Sequence, residues 1–210
     1  MFVLLGVAGV VAALTAYRAD ARRLYVVGKG AASAGFLAVA LAGGPPEATW
    51  ARAALVALAA SALGDVSLAG RGRAAFATGL AAFTAAHLAY AVAFGLRIDA
   101  LGAVLAGAAV GLLAARPGWR ALASRLSVPT SLRGPVAGYL TTVTVMLGLA
   151  LVVGAVRGAW PLALGAVLVG GSDVAVARER FGRPGFANKL VGLPTYYAGQ
   201  LLIALQVAGG

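Results

Sequence analysis

Two aspartates of this sequence lie within long apolar stretches, where a charged side chain is costly. Asp65 occurs in the run LGDVSLA, and Asp173 occurs in the run GSDVAVA. A charged carboxylate at the centre of a membrane span costs about 2.5–3.5 kcal/mol even on a lenient insertion scale. Such groups therefore face a protein interior or a wet cavity, where a pair of carboxylates is a candidate for acid–base catalysis or for proton-coupled transport.

Other polar side chains are expected at a comparable depth, except for His87 and Tyr90, which are expected to lie deeper, and all of them are predicted to bind a substrate or to position water. These residues are Lys29, His87, Tyr90, Tyr139, Asn188, Tyr196, Tyr197 and Gln200. Structural roles stay open for several of them. A tyrosine can belong to the aromatic belt at the membrane surface, a lysine can extend to the headgroups, and a histidine can bridge two helices.

The composition is that of an integral membrane protein. Of 210 residues, 61% are hydrophobic and 11% are charged, whereas a soluble domain carries about 25% charged residues. Cysteine is absent and His87 is the only histidine, which excludes thiolate chemistry and sites built from several imidazoles. The sequence therefore predicts an all-α, polytopic membrane protein that needs neither a metal nor an organic cofactor.

Eight apolar stretches are long enough to cross a bilayer, and residues 1–210 are predicted to form one eight-span domain. The spans are about 1–17, 25–43, 51–70, 74–96, 98–115, 135–156, 159–177 and 188–208. The segment 116–134 is predicted to be a loop with an interfacial helix. Four acidic residues at span edges are expected to be solvated, namely Asp20, Glu47, Asp99 and Glu179.

The basic residues alternate strongly between successive loops, and this alternation predicts the orientation. The loops after spans one, three, five and seven hold Arg18, Arg22, Arg23, Arg71, Arg73, Arg116, Arg120, Arg125, Arg133, Arg178, Arg180, Arg183 and Lys189. The other loops hold only Arg52, Arg97 and Arg157. The positive-inside rule then places both termini outside the cytoplasm, and it explains the charge of +11 without a nucleic-acid partner.

The two aspartate segments predict an internal repeat, with half-repeats at 1–115 and 116–210. Each segment, 64–69 and 172–177, is followed by an arginine-bearing loop and then by a helix that starts near a phenylalanine. Four spans separate the copies, so corresponding helices run in the same direction and both aspartates lie at equal depth. On this alignment His87 corresponds to Tyr197, and Tyr90 corresponds to Gln200.

In order and spacing, these residues resemble the YhhN/TMEM86 family of eight-span membrane proteins. The resemblance rests on Lys29, Ser61-x-x-Gly64-Asp65, Phe76-x-x-Gly79-x-x-x-Phe83-x-x-x-His87-x-x-Tyr90, Tyr139, Gly165-x6-Ser172-Asp173 and Tyr196-Tyr197-x-x-Gln200. Gly30 follows Lys29 where the family usually has proline. The resemblance implies a lysoplasmalogenase, which cleaves the vinyl ether bond of a lysophospholipid to a fatty aldehyde and a glycerophosphoethanolamine or glycerophosphocholine.

Vinyl ether hydrolysis requires one carboxylic acid to protonate the β-carbon and one carboxylate to stabilise the oxocarbenium ion, as in glycoside hydrolysis. Asp65 and Asp173 are therefore the predicted catalytic residues, with the assignment of the two roles open. The expected partners are a lysoplasmalogen substrate and membrane lipids. The arginine-rich composition favours a bacterial inner membrane, with the cavity open toward the cytoplasmic leaflet.

Two other classes of protein stay open at this point. A proton-coupled transporter would also place carboxylates between paired halves. A non-catalytic lipid-binding protein would tolerate the loss of both aspartates. A metal hydrolase with several histidine ligands is disfavoured, because His87 stands alone.

Overall fold

Every regular element in the described chain is an α-helix. The computed structural model describes residues 1–209, apart from the side chains of residues 121 and 122. The helices are α1 (Phe2–Arg18), α2 (Arg22–Ala40), α3 (Thr49–Ala69), α4 (Gly72–Gly95), α5 (Leu101–Ala123), α6 (Thr130–Arg157), α7 (Trp160–Phe181) and α8 (Phe186–Ala208). The predicted all-α, polytopic fold is confirmed.

Six of these helices, α3 to α8, are long and apolar enough to cross a membrane. Helix α1 is apolar but has only 17 residues, and α2 carries Arg22, Arg23 and Lys29 among its 19 residues. Both helices pack lengthwise in the bundle. The count of eight spans and the position of the termini outside the cytoplasm stay predictions.

The predicted loop at 116–134 is largely helical, so that expectation was wrong. Helix α5 continues through Pro117 to Ala123, and α6 already begins at Thr130. A proline removes one backbone hydrogen bond, and helices of membrane proteins tolerate this loss because neighbouring groups compensate for it. Trp119 and Ala123 of this extension line a cavity at one end of the bundle.

The packing of the helices is nearly the same in the two halves of the chain. Helices α1–α2, α3–α4 and α2–α3 are neighbours, as are α5–α6, α7–α8 and α6–α7. Between the halves, α2 packs on α8 and α4 packs on α6, which are equivalent contacts under the predicted repeat. Helix α8 also contacts α1 and α3. The division at 1–115 and 116–210 stays a proposal that this pattern supports.

Glycines allow the closest approaches between helices, and those of α5 and α6 leave no room for a side chain. A Cβ atom added to Gly148 of α6 would meet the carbonyl oxygen of Gly107 of α5. A Cβ added to Gly111 of α5 would likewise meet the carbonyl oxygen of Thr144. Membrane helices associate through such small-residue contacts because lipid provides no hydrophobic driving force between them.

We expect the substitution Gly148→Ala to destabilise the protein by about 1–3 kcal/mol, because the two backbones must move apart. The measurement is the midpoint of thermal unfolding in detergent. Gly138→Ala in the same helix is the matched control, since a Cβ there has no heavy atom within 4 Å. That variant should be neutral or slightly stabilised by the higher helix propensity of alanine. Equal midpoints for both variants would contradict the close packing of α5 on α6.

Candidate active site

A cavity of about 430 Å³, here called the inner cavity, lies at one end of the bundle. Asp65 and Asp173 both line it, and it extends to the turn residues Gly70, Arg71 and Gly72. This is the end at which α3, α5 and α7 finish, and it carries most of the basic residues. The fold therefore brings the two predicted catalytic residues to a single cavity.

The inner cavity has walls of different character. Its polar wall contains Lys29, Glu179, Asn188 and Lys189, which belong to α2, α7 and α8. Its apolar wall belongs mainly to α4, α6 and the end of α5. The apolar residues there are Phe76, Leu80, Phe83, Trp119, Leu126, Val128, Val136 and Leu140. Such a cavity suits an amphiphile, with its polar part on one side and its hydrocarbon on the other.

Asp65 forms a buried ion pair with a lysine of the neighbouring helix. Its Oδ1 atom lies 3.1 Å from Nζ of Lys29, and the Ser33 hydroxyl donates a hydrogen bond of 2.8 Å to Oδ2. Lys29 and Ser33 are one helical turn apart on α2, so they reach the carboxylate from the same face. All three residues are buried. The charge of Asp65 is thus compensated and its carboxylate is fixed in orientation.

Asp173 has a different environment, in which no lysine or arginine of the described residues pairs with it. Its Oδ2 atom lies 4.0 Å from Nε2 of His87, and that oxygen has no hydrogen-bond partner within the described chain. Neither ring nitrogen of the buried His87 has a hydrogen-bond partner there. Tyr139 interacts with the Asp173 carboxylate and packs edge-on against the His87 ring, with centroids 5.2 Å apart. The Asp173 carboxylate and the His87 ring therefore have polar atoms beside the cavity that are free to form hydrogen bonds.

Under the proposed repeat, the two aspartate sites are formed by corresponding helices of the two halves. Lys29 of α2 pairs with Asp65 of α3, and Tyr139 of α6 interacts with Asp173 of α7. Each site also receives an aromatic side chain from the other half. His87 of α4 lies beside Asp173, and the Tyr197 hydroxyl of α8 donates to the main-chain carbonyl of Lys29.

Only part of the predicted binding set reaches the wall of the inner cavity. Lys29, Tyr139, Asn188 and Tyr196 line it. The others are buried behind the wall, namely His87, Tyr90, Tyr197 and Gln200. These four residues are placed to position the wall residues, and direct contact with a substrate would require the wall to move.

The Tyr90 hydroxyl donates to the side-chain oxygen of Gln200, which links α4 to α8 in the buried core. The Gln200 amide nitrogen and the Tyr196 hydroxyl are buried without a hydrogen-bond partner in the part of the chain that is described. Because Tyr196 lines the inner cavity, its hydroxyl is a candidate for holding water there.

Glu179 was expected to be solvated, and the structure shows that this expectation was wrong. Helix α7 extends to Phe181, so Glu179 lies on its last turn and faces α1 and α8. Its carboxylate accepts hydrogen bonds from the Tyr17 hydroxyl at 2.9 Å, the Gly185 backbone N–H at 2.8 Å and the Asn188 amide at 2.9 Å. Lys189 lies 3.7 Å away.

Asn188 was predicted to bind substrate, but its side-chain amide donates hydrogen bonds to Glu179 and to the main-chain carbonyl of Arg183.

Of the other acidic residues, Asp99 is exposed and forms an ion pair with Arg157. The part of the chain that is described holds no group of three or more His, Asp or Glu residues that could bind a metal ion.

An all-helical protein with six helices long and apolar enough to cross a membrane, and with two aspartates on one cavity, belongs to the class of polytopic membrane proteins. Comparison with known proteins identifies the family within this class. Residues 24–207 match the model of the YhhN family, and the chain belongs to that family. No solved structure matches the chain.

Two curated relatives are both called lysoplasmalogenase TMEM86B. The protein of Sus scrofa is 38% identical over 152 residues, which is 72% of this chain and 62% of the relative. The protein of Homo sapiens is 38% identical over 150 residues, which is 71% of this chain and 61% of the relative. The chain thus spans about three fifths of the length of these relatives.

Proposed function

We propose that this protein is a lysoplasmalogenase, which hydrolyses the vinyl ether bond of 1-alkenyl lysoglycerophospholipids in the membrane. The observation that carries the proposal is the pair of aspartates on one cavity, one compensated by a lysine and the other without a cation. The name of the relatives supports the same reaction. The proposed location is a bacterial inner membrane, with the basic end of the bundle toward the cytoplasm.

The contrast between the two walls orients the substrate. Hydrocarbon of the alkenyl chain packs on the apolar wall, which includes Phe76, Leu80 and Leu140. The glycerol and the headgroup lie toward the polar wall and the basic end of the bundle. The vinyl ether bond joins these two parts of the lipid, so we place it at the boundary between the walls, within reach of the aspartates that line the same cavity.

We assign the acid role to Asp173. A general acid must carry a proton, and Asp173 has no lysine or arginine that would stabilise its ionised form in an apolar surrounding. Asp65 is the complementary group, because Lys29 and Ser33 stabilise its ionised form. Two carboxyl groups in different environments thereby take different roles, as in glycosidases.

In the first step, Asp173 transfers its proton to the β-carbon of the vinyl ether, and the π electrons form the new C–H bond. The ether oxygen shares its lone pair with the α-carbon, which gives an oxocarbenium ion that the negative charge of Asp65 stabilises. Water then adds to the α-carbon and returns a proton to Asp173. The hemiacetal breaks its bond to the glycerol oxygen, with transfer of the hydroxyl proton, and releases the aldehyde and the glycerophospholipid headgroup.

The test is release of fatty aldehyde by the purified protein in detergent. The substrate is 1-alkenyl lysophosphoethanolamine, and the 1-acyl and 1-alkyl analogues are the matched controls. We expect aldehyde from the alkenyl lipid only, because only a vinyl ether gives an oxocarbenium ion on protonation. If folded protein releases no aldehyde, the proposal fails, and uptake of solute into proteoliposomes becomes the next measurement.

A further inference from the structure

A second cavity of about 350 Å³, here called the outer cavity, adjoins the mouth of the inner one. Tyr25 and Arg71 line both cavities, so the two cavities share part of their walls. The remaining wall of the outer cavity consists of Ala16, Tyr17, Asp20 and Arg22. It is thus formed by the α1–α2 turn and the α3–α4 turn, at the basic end of the bundle.

The charged side chains of the outer cavity form no ion pairs or hydrogen bonds with other described residues. Among the described residues, no ion pair or side-chain hydrogen bond is found for Asp20, Arg22 or Arg71. By contrast, Asp65, Asp99 and Glu179 are all bound by protein cations. The outer cavity therefore presents two free guanidinium groups and one free carboxylate to a ligand.

Asp20 also has an unusual backbone conformation. Its φ angle is 52°, which makes it the single non-glycine residue with positive φ in the described chain. Aspartate and asparagine tolerate this left-handed conformation better than other side chains do. The α1–α2 turn thus holds a carboxylate beside the ring pair of Tyr17 and Tyr25, whose centroids are 5.6 Å apart.

We propose that the outer cavity binds the zwitterionic headgroup of the lysophospholipid, an inference that rests on the proposed function. Arg22 and Arg71 bind the phosphate, since guanidinium groups match phosphate oxygens in geometry and charge. Asp20 binds the ammonium group, and the ring of Tyr25 adds cation–π attraction.

The spacing along the lipid agrees with this assignment. Asp65 lies four residues before Ala69, the last residue of α3, which corresponds to about 6 Å along the helix axis, and Arg71 lies in the turn just beyond it. Five bonds separate the vinyl ether oxygen from phosphorus, a span of about 6 Å for bonds near 1.5 Å. The flexible Arg71 side chain covers the difference, so one molecule can contact the aspartates and Arg71 together. The ammonium group, which lies beyond the phosphate, then falls in the outer cavity.

Binding of a lipid that is not hydrolysed tests this site separately from the reaction. The probe is 1-alkyl lysophosphoethanolamine, whose saturated ether cannot be cleaved by protonation at carbon. The variant Arg22→Gln/Arg71→Gln should bind it about tenfold more weakly, given the energy of charge-assisted hydrogen bonds. The matched control is Arg23→Gln/Arg73→Gln, since these neighbouring arginines line neither cavity. The control variant should bind like the wild type.

Asp20→Asn tests the ammonium contact, and asparagine preserves the left-handed turn. We expect about threefold weaker binding of the ethanolamine lipid and unchanged or tighter binding of 1-alkyl lysophosphatidic acid, which has no ammonium group. Glu47→Gln, at an exposed residue outside both cavities, is the control. Inorganic phosphate as competitor distinguishes a lipid site from a general anion site.

Equal affinity of the arginine variant and its control would overturn the headgroup site, as would equal loss of both lipids in Asp20→Asn. Strong competition by inorganic phosphate alone would assign the arginines to a free anion instead. Failure of aldehyde release together with arginine-dependent binding would refute the proposed reaction while leaving the headgroup site in place.

Discussion

The substitution Asp173→Asn is expected to reduce aldehyde release by about 100- to 10 000-fold, which is the range for loss of a general acid. Asparagine has nearly the same shape, but it has no acidic proton to give to the β-carbon. The fold should be unaffected, because the substitution replaces a partly exposed carboxyl group, which has no lysine or arginine partner among the described residues, with a neutral amide. The measurement is turnover of 1-alkenyl lysophosphoethanolamine at saturating substrate.

The matched control for this variant is Asp99→Asn. Asp99 lies just before α5, outside the inner cavity, and its ion pair with Arg157 is exposed. An exposed pair contributes about 0–1 kcal/mol to stability, so this control should keep its activity and most of its stability. A near-normal rate in folded Asp173→Asn protein would refute the acid role of Asp173. A rate loss that accompanies unfolding would be visible in the thermal midpoint.

The membrane class and the helical fold could be predicted from the sequence because they depend on average properties of long segments. Eight apolar stretches, separated by polar turns, leave little freedom in the number of helices. The ends of the helices were harder to predict. Pro117 and Gly118 are typical of a loop, yet α5 continues through them, since a helix of a membrane protein tolerates the loss of one backbone hydrogen bond at a proline.

The sequence predicts the two aspartates of the candidate site, but it does not predict their partners. The cost of burying a carboxylate singled out Asp65 and Asp173, and the fold brings both to the inner cavity. Which residues pair with these aspartates depends on how each helix is rotated about its axis. Because the helices are apolar on all faces, the sequence does not indicate that rotation. For that reason the sequence does not determine that Lys29 pairs with Asp65.

Glu179 was missed because its role depends on where α7 ends. A helix that stopped at residue 177 would leave this carboxylate in a loop, whereas the observed helix carries it to Tyr17 and Asn188. The only signal available was its position between Arg178 and Arg180, which is also typical of a solvated loop. Tyr17, Tyr25 and Arg71 were missed for a similar reason, since turns between helices bring them together.

The second large effect is expected at Lys29. Lys29→Met removes the cation from a buried ion pair and leaves the Asp65 carboxylate with Ser33 as its remaining hydrogen-bond donor. Breaking a buried pair in this way costs about 3–5 kcal/mol, which is a large part of the stability of a typical domain. We therefore expect a strongly lowered thermal midpoint or a failure to accumulate folded protein.

The control for the loss of a lysine is Lys189→Met. Lys189 lies 3.7 Å from Glu179, and that carboxylate keeps its hydrogen bonds from Tyr17, Gly185 and Asn188 when the lysine is removed. Its thermal midpoint should therefore fall much less than that of Lys29→Met. An equal fall of the thermal midpoint in both variants would show that the Lys29–Asp65 pair contributes no more to stability than the Lys189–Glu179 pair does.

The double variant Lys29→Met/Asp65→Asn separates the stabilising role of this pair from its catalytic role. Because the asparagine is neutral, it needs no cation, and its side-chain oxygen still accepts the hydrogen bond from Ser33. Replacing both members of a buried pair is often neutral, so the double variant should recover the thermal midpoint that Lys29→Met loses. It should nevertheless release aldehyde far more slowly than the wild type, because no negative charge then stabilises the oxocarbenium ion. A double variant that is both stable and fully active would reduce Asp65 to a structural residue and leave the chemistry to Asp173 alone.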